Sequence, residues 1–128
     1  NGGYGNSLGL IVFHFPNKYD VYMHDTPGKY LFKRSVRAFS HGCMRLENPF
    51  SLGEFVMKID RPNDTITADT LKKWALRGYE QRLTLKKYIP INVDYITTTA
   101  DSAGNIFFHL DVYGRDEKYM ELLRTMSN

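Results

Sequence analysis

Asn48-Pro49 limits the folds open to this chain more than any other feature. Asparagine is a favoured helix N-cap, and proline's missing N–H and fixed φ suit the first helical position. From there Leu52, Phe55, Val56 and Ile59 recur at the spacing of one buried face, so the sequence predicts a helix to about Ile59. The runs before it are different: Leu10–Phe15 and Tyr19–His24 read as strands, and Pro16-Asn17-Lys18 between them reads as the turn of a hairpin. A helix pinned after a hairpin points to an α+β chain.

The remaining segments extend that reading. Gly28–Arg37 carries Lys29, Lys33, Arg34 and Arg37 among Tyr30, Leu31 and Phe32 without clean periodicity, and is expected to be a loop or a short turn of helix. Asp60–Asp64 is expected to turn, and Thr67 to cap a second helix that ends near Gly78 with Leu71, Trp74 and Ala75 on one side. Alternation of Ile89, Ile91, Val93 and Tyr95 predicts a strand over Tyr88–Thr99. Asp101–Asn105 is expected to turn, Ile106–Tyr113 to return as a strand, and the tail from Arg115 to be a short helix or a frayed end. At 128 residues, 42% of them hydrophobic, the chain suits one domain spanning 1–128 with an ordinary core. The net charge of +3 comes from 17 Lys and Arg dispersed along the chain, which gives no basic tract and argues against nucleic acid as a partner. No run of apolar residues is long enough to span a bilayer.

The chemistry concentrates around one residue. Cys43 is the only cysteine in the chain, and it sits in Ser40-His41-Gly42-Cys43-Met44-Arg45. A thiol becomes a strong nucleophile as the thiolate, so it needs a base or a positive field close by. An oxyanion formed by its attack needs backbone N–H groups that no bulky side chain covers, which His41 and Gly42 offer. His24, nineteen residues upstream in Tyr22-Met23-His24-Asp25-Thr26-Pro27, is the candidate base, standing at the end of a predicted strand. A lone cysteine is also a common buried hydrophobe, which is the competing reading of Cys43.

His24, fifteen intervening residues, then Ser40-His41-Gly42-Cys43, an apolar residue and Arg45, resembles the signature of the L,D-transpeptidase (YkuD) catalytic domain family. Asn6-Ser7-Leu8-Gly9, His24-Asp25-Thr26-Pro27 and Arg37-Ala38-Phe39-Ser40 further resemble its YcbB-like subgroup. The similarity is clear from about Asn6 to Asn48 and loose beyond, mainly at Ile89-Pro90-Ile91. Many members carry Asn two places after the cysteine, where this chain has Arg45. The resemblance implies a β-rich α+β domain of mixed sheets with two helices after the cysteine. It also implies that the family's N-terminal strands precede the point where this chain begins, so that the chain is a C-terminal piece of a longer exported protein of the periplasm or cell envelope.

The activity so implied is peptidoglycan cross-linking without a cofactor: acyl transfer through a Cys43 thioester, with release of D-Ala and stem peptides as both acyl donor and amine acceptor. His24 would be the base, and Gly42, Cys43 and His41 would contribute to the oxyanion site. Asp25 would orient His24 through its backbone carbonyl or its side chain. Arg45 and Ser40 are candidate substrate contacts, with anchoring of the turn an equal alternative for Arg45. Two other functions stay open: an L,D-carboxypeptidase or endopeptidase that uses the same cysteine, and a wall-binding module without turnover. His14 and His109 lie inside strand patterns and read as structural or surface positions. A zinc site from His24, His41 and Cys43 would lack the paired spacings of such sites, and no metal is expected.

Overall fold

The computed structural model describes residues 5–40 and 42–126. Residues up to Ile89 and those from Pro90 onward form two compact units. The architecture is α+β.

In the first unit β1 (Val12–Phe13) pairs antiparallel with β2 (Met23–His24), Val12 opposite His24. The hairpin is therefore present, with strands shorter than the apolar runs that announce them. Its loop is stitched by one side chain. The Asn17 amide donates to the carbonyls of Phe15 and Val21 at 2.9 and 2.7 Å and accepts from the N–H groups of Tyr19 and Val21 at 3.0 and 3.1 Å. On its other edge β2 pairs in parallel with β3 (Met44–Arg45), Met23 opposite Met44 and His24 opposite Arg45. Parallel strands need a crossover, and residues 25–43 supply it, including a 3-10 helix at Lys29–Lys33 where the sequence left a choice of loop or helical turn.

Helix α1 (Pro49–Asp60) begins where Asn48-Pro49 predicts, although the Asn48 side chain makes no capping hydrogen bond. Its buried face is not the predicted one. Pro49, Gly53, Met57 and Asp60 are buried, Leu52 and Val56 are half-buried, and Phe55 and Ile59 are 57% and 37% exposed. Gly53 causes the shift. A Cβ there would stand 2.7 Å from Leu71 Cδ1, with Ile11 Cδ1 and Phe13 Cζ at 3.6 and 3.7 Å. The bare backbone thus lets helix α2 (Ala68–Ala75) and β1 close onto α1. The Thr67 hydroxyl caps α2 by accepting the Thr70 N–H at 3.2 Å, and Leu71, Trp74 and Ala75 face inward as the sequence predicts. Asp60 carries a buried charge that its partners compensate: its Oδ1 accepts the Lys86 and Lys87 amides at 2.6 and 2.7 Å, and its Oδ2 the Arg61 Nε at 3.2 Å.

The second unit holds the hairpin of β4 (Thr98–Ala100) and β5 (Ile106–Phe108), turned by Asp101, whose Oδ1 accepts the amides of Ala103 and Asn105 at 2.9 Å. The long strand expected over Tyr88–Thr99 is replaced by irregular chain as far as Thr97, and the return strand ends at Phe108. The tail is helical, α3 (Arg115–Met126). Asp111 links these pieces, accepting the Tyr95 hydroxyl at 2.5 Å and the Asp116 amide at 2.8 Å. The Asp116 amide first, then Tyr95, hold its pKa down at about 2. Among the described residues no helix is long and apolar enough to cross a membrane.

Candidate active site

The sheet of the first unit brings together residues that the sequence separates. Extending the β2–β3 register by one pair sets Cys43 opposite Tyr22, and the ladder on either side confirms it: Met44 N–H donates to the Tyr22 carbonyl at 3.0 Å and Leu46 N–H to the His24 carbonyl at 2.8 Å. Successive side chains in a strand alternate faces, so Tyr22, His24, Cys43 and Arg45 share one face while Met23 and Met44 take the other. The antiparallel register adds His14, which falls opposite Tyr22 on that same face. Diagonal neighbours on a sheet stand about 7–8 Å apart, within reach of an imidazole, and His24 and Cys43 are such neighbours.

His24 is 5% exposed, and its Nδ1 lies 2.5 Å from the Asp25 carbonyl oxygen. A carbonyl only accepts, so this bond fixes the proton on Nδ1 in the neutral ring and leaves Nε2 as the basic nitrogen. Of the two ways in which Asp25 could orient His24, the geometry is that of the backbone carbonyl. The Asp25 side chain has a separate task. Its Oδ2 accepts the Leu10 N–H at 2.9 Å and its Oδ1 lies 2.8 Å from the Lys29 ammonium. Burial alone would raise the pKa of this carboxyl, but Lys29 and the Leu10 and Thr26 amides outweigh it and hold the pKa below its ordinary value. Gly9 makes the contact possible: its φ of +64° is left-handed, and a Cβ there would meet Asp25 Oδ2 at 2.3 Å. Asn6 forms the preceding turn, its side chain accepting the Leu8 N–H at 3.0 Å and its carbonyl the Gly9 N–H at 2.9 Å.

Cys43 is half-buried. The Tyr22 hydroxyl interacts with its sulfur, and that hydrogen bond, together with the charge of the thiolate, raises the Tyr22 pKa above the usual phenol range. Tyr22 thereby remains a proton donor toward the thiolate. Its ring stands edge-on to His24 at 5.8 Å between centroids and tilted against His14 at 5.4 Å. Gly42 has φ +157°, and a Cβ there would stand 3.1 Å from Val21 Cγ1, so a side chain would fit only if Val21 gave way by a few tenths of an ångström. The Gly42 N–H donates to Ser40 Oγ at 3.2 Å, so Ser40 braces the turn, and the long bond is one that a stronger acceptor can displace. The Arg45 guanidinium makes a 3.5 Å contact with the Phe39 carbonyl and is otherwise solvent-facing. His41 lies outside the described residues.

Tyr22 and Lys29 are site residues that motif reading passed over. The signal for Tyr22 was present in Tyr22-x-His24, since alternation on a strand places both residues on one face. His109 belongs elsewhere, its Nε2 2.8 Å from Thr99 Oγ1 in the β4–β5 hairpin. Beside Asp25 a cleft of about 420 Å³, bordered by Leu10, Thr26, Lys29, Pro49 and Lys72, opens on residues other than Cys43 and His24. Among the described residues no three His, Cys, Asp or Glu side chains gather as metal ligands.

Residues 1–60 match the family model described as the L,D-transpeptidase catalytic domain, YkuD, and that span contains the whole His24 to Arg45 constellation. Over 114 residues, 88% of this chain, the sequence is 30% identical to a Haemophilus influenzae protein named "Putative L,D-transpeptidase", and the match covers 22% of that protein. The chain thus spans about a fifth of the length of this relative. Through residues 1–60, the chain is similar to the L,D-transpeptidase catalytic domain (YkuD) family.

Proposed function

We propose that the chain carries the catalytic centre of a peptidoglycan L,D-transpeptidase that works in the periplasm or cell envelope, with Cys43 as nucleophile and His24 as base. The observation that supports this most is the β2–β3 pairing, which sets Cys43 opposite Tyr22 and next to a histidine whose Nδ1 is committed to the Asp25 carbonyl at 2.5 Å. A base presented through Nε2, a donor hydroxyl on the sulfur and a side-chain-free residue before the thiol are what acyl transfer requires.

The thiol proton passes to His24 Nε2, and the thiolate attacks the carbonyl on the L-centre of the diamino acid in a tetrapeptide stem. The carbonyl π bond opens to an oxyanion, which the N–H groups of Gly42 and Cys43 receive once Ser40 Oγ is displaced. Each such donor is worth about 3 kcal/mol in acyl-transfer enzymes. Collapse breaks the bond to terminal D-Ala, whose amine leaves with the proton held on His24, and a thioester remains on Cys43. A neighbouring stem amine then attacks the thioester. His24 takes one of its protons, a new amide forms and the thiolate is restored. Arg45, solvent-facing beside the sulfur, is suited to a stem carboxylate, and Ser40 to a backbone group of the donor.

Mass spectrometry of a purified tetrapeptide-bearing muropeptide incubated with the protein tests the reading. A cross-linked dimer with loss of D-Ala is expected from the wild type and is absent with Cys43→Ala. A shortened monomer instead of a dimer would assign water as the acceptor and make the enzyme a carboxypeptidase. A carbapenem should add its mass once to the wild type, and addition to Cys43→Ala would remove Cys43 as the nucleophile.

A further inference from the structure

We infer that Lys29 is a positioning residue for the His24–Cys43 pair, fastening the exit of the base-bearing strand to the exit of the nucleophile-bearing one. The inference rests on the nucleophile and base proposed above. A lysine ammonium has three N–H donors. Three acceptors converge on this one: Asp25 Oδ1 at 2.8 Å, the Leu46 carbonyl at 2.6 Å and the Glu47 carbonyl at 2.6 Å. The first belongs to the residue after β2 and the other two to the residues just after β3.

These contacts close a ring of interactions around the base. The His24 carbonyl accepts the Leu46 N–H, and the Leu46 carbonyl accepts Lys29. Lys29 pairs with the Asp25 carboxylate, and the Asp25 carbonyl holds His24 Nδ1. Backbone and ring of His24 are thus both referred to the strand that carries Cys43. The ring has no substitute for Lys29. Asp25 Oδ1 is buried without any hydrogen bond of good geometry, so the ammonium is its counter-ion, and no other cation pairs with it among the described residues. Loss of the ammonium would leave a buried carboxylate unpaired next to the carbonyl that aims the base. A catalytic group misplaced by about 1 Å can cost on the order of 100-fold in rate.

The test is the pH dependence of Cys43 alkylation by iodoacetamide, measured beside the melting temperature, in wild type and in Lys29→Met, which keeps the stem and removes the charge. The groups facing the thiol are Tyr22 and His24 on β2, His14 beyond Tyr22 and Arg45 on its own strand, with Asp20 acting on Tyr22. Lys29→Met changes none of them. Lys29→Met should alkylate about 10- to 100-fold more slowly at neutral pH, with a pH profile that departs from the wild type's. A folded Lys29→Met with the wild-type pH profile overturns the inference, whatever its melting temperature. Should Lys29→Met fail to fold, Lys29→Gln is judged by the same criterion. His24→Ala separates the two levels: if it alkylates like wild type, the base assignment fails and takes the inference with it, whereas a slow His24→Ala beside an unchanged Lys29→Met condemns Lys29 alone.

Discussion

Replacing Gly9 by alanine tests the link between the Asn6–Gly9 turn and the candidate active site. The backbone there has φ +64°, and the new Cβ would lie 2.3 to 2.5 Å from Asp25 Oδ2, Cγ and Cβ. Ordinary carbon contacts begin near 3.5 Å, so the carboxylate must retreat by about 1 Å. Retreat pulls Oδ2 from the Leu10 N–H, now at 2.9 Å. The left-handed backbone costs alanine about 1–2 kcal/mol, and overpacking adds about 1–3 kcal/mol. Loss of a hydrogen bond to a charged group is worth about 1.5–3 kcal/mol. These overlap, since relieving the clash is what breaks the bond, so the expected loss is about 3–5 kcal/mol. Gly78→Ala is the control: φ is +82° there too, but nothing lies within 4 Å of the added Cβ, so only the backbone cost of about 1–2 kcal/mol applies. Each kcal/mol shifts the melting temperature of a small domain by about 4–8 °C, so the two variants should differ by about 10–20 °C in a thermal melt followed by circular dichroism. Cys43 alkylation should slow in Gly9→Ala and not in Gly78→Ala. Equal melting temperatures would refute the claim that Gly9 exists to admit Asp25.

Gly42→Ala should slow thioester formation more than it lowers the melting temperature, because φ +157° and a 3.1 Å approach to Val21 both lie in the turn before the thiol; stopped-flow acylation by a carbapenem measures it. The Asp25 pKa is lowered on folding, so Asp25 contributes stability above its unfolded value near 3.8 and loses that contribution as pH falls through the lower folded value. Urea melts across the acid range should therefore be flatter for Asp25→Asn than for wild type. Leu71→Ala should cost about 2–4 kcal/mol in a urea melt, and Phe55→Ala, at a position 57% exposed, less than about 1 kcal/mol. Carbapenem acylation should survive EDTA unchanged with well under one zinc per chain by elemental analysis, because a zinc-bound thiolate shares the electron pair that attack requires.

The local signals in the sequence were sound wherever a single residue type dictates geometry. Pro49 opens α1 although Asn48 makes no side-chain cap, Thr67 caps α2, and the first hairpin turns at Lys18-Tyr19, one step later than Pro16-Asn17-Lys18 suggests, with Asn17 bonding across the loop. The phase of α1 was not legible, because periodicity counts apolar residues and two of its buried positions are Gly53 and Asp60. One is buried for its lack of a side chain, the other for the amides it receives from Lys86 and Lys87. Alternation over Tyr88–Thr99 failed for another reason. It describes a strand with a neighbour to pair with, and pairing there is confined to Thr98–Ala100 against Ile106–Phe108. At the site, His24 and Cys43 stood out as residue types, whereas Tyr22 and Lys29 acquire their places only from the β2–β3 register and from the carbonyls that follow β3.

The crossover between the two parallel strands has a consequence for how chains with this strand pairing can diversify. Its first residues are tied down by Lys29, and its last by the pairing of β3, which leaves roughly residues 30–40 as a stretch fastened at both ends. Doubling the length of such a loop costs only about 0.6 kcal/mol in closure entropy. Insertions there would lengthen the connection while Cys43 and His24 keep the separation that the strand pairing sets. The length of the loop and the spacing of the two side chains are thus separate variables on a single connection.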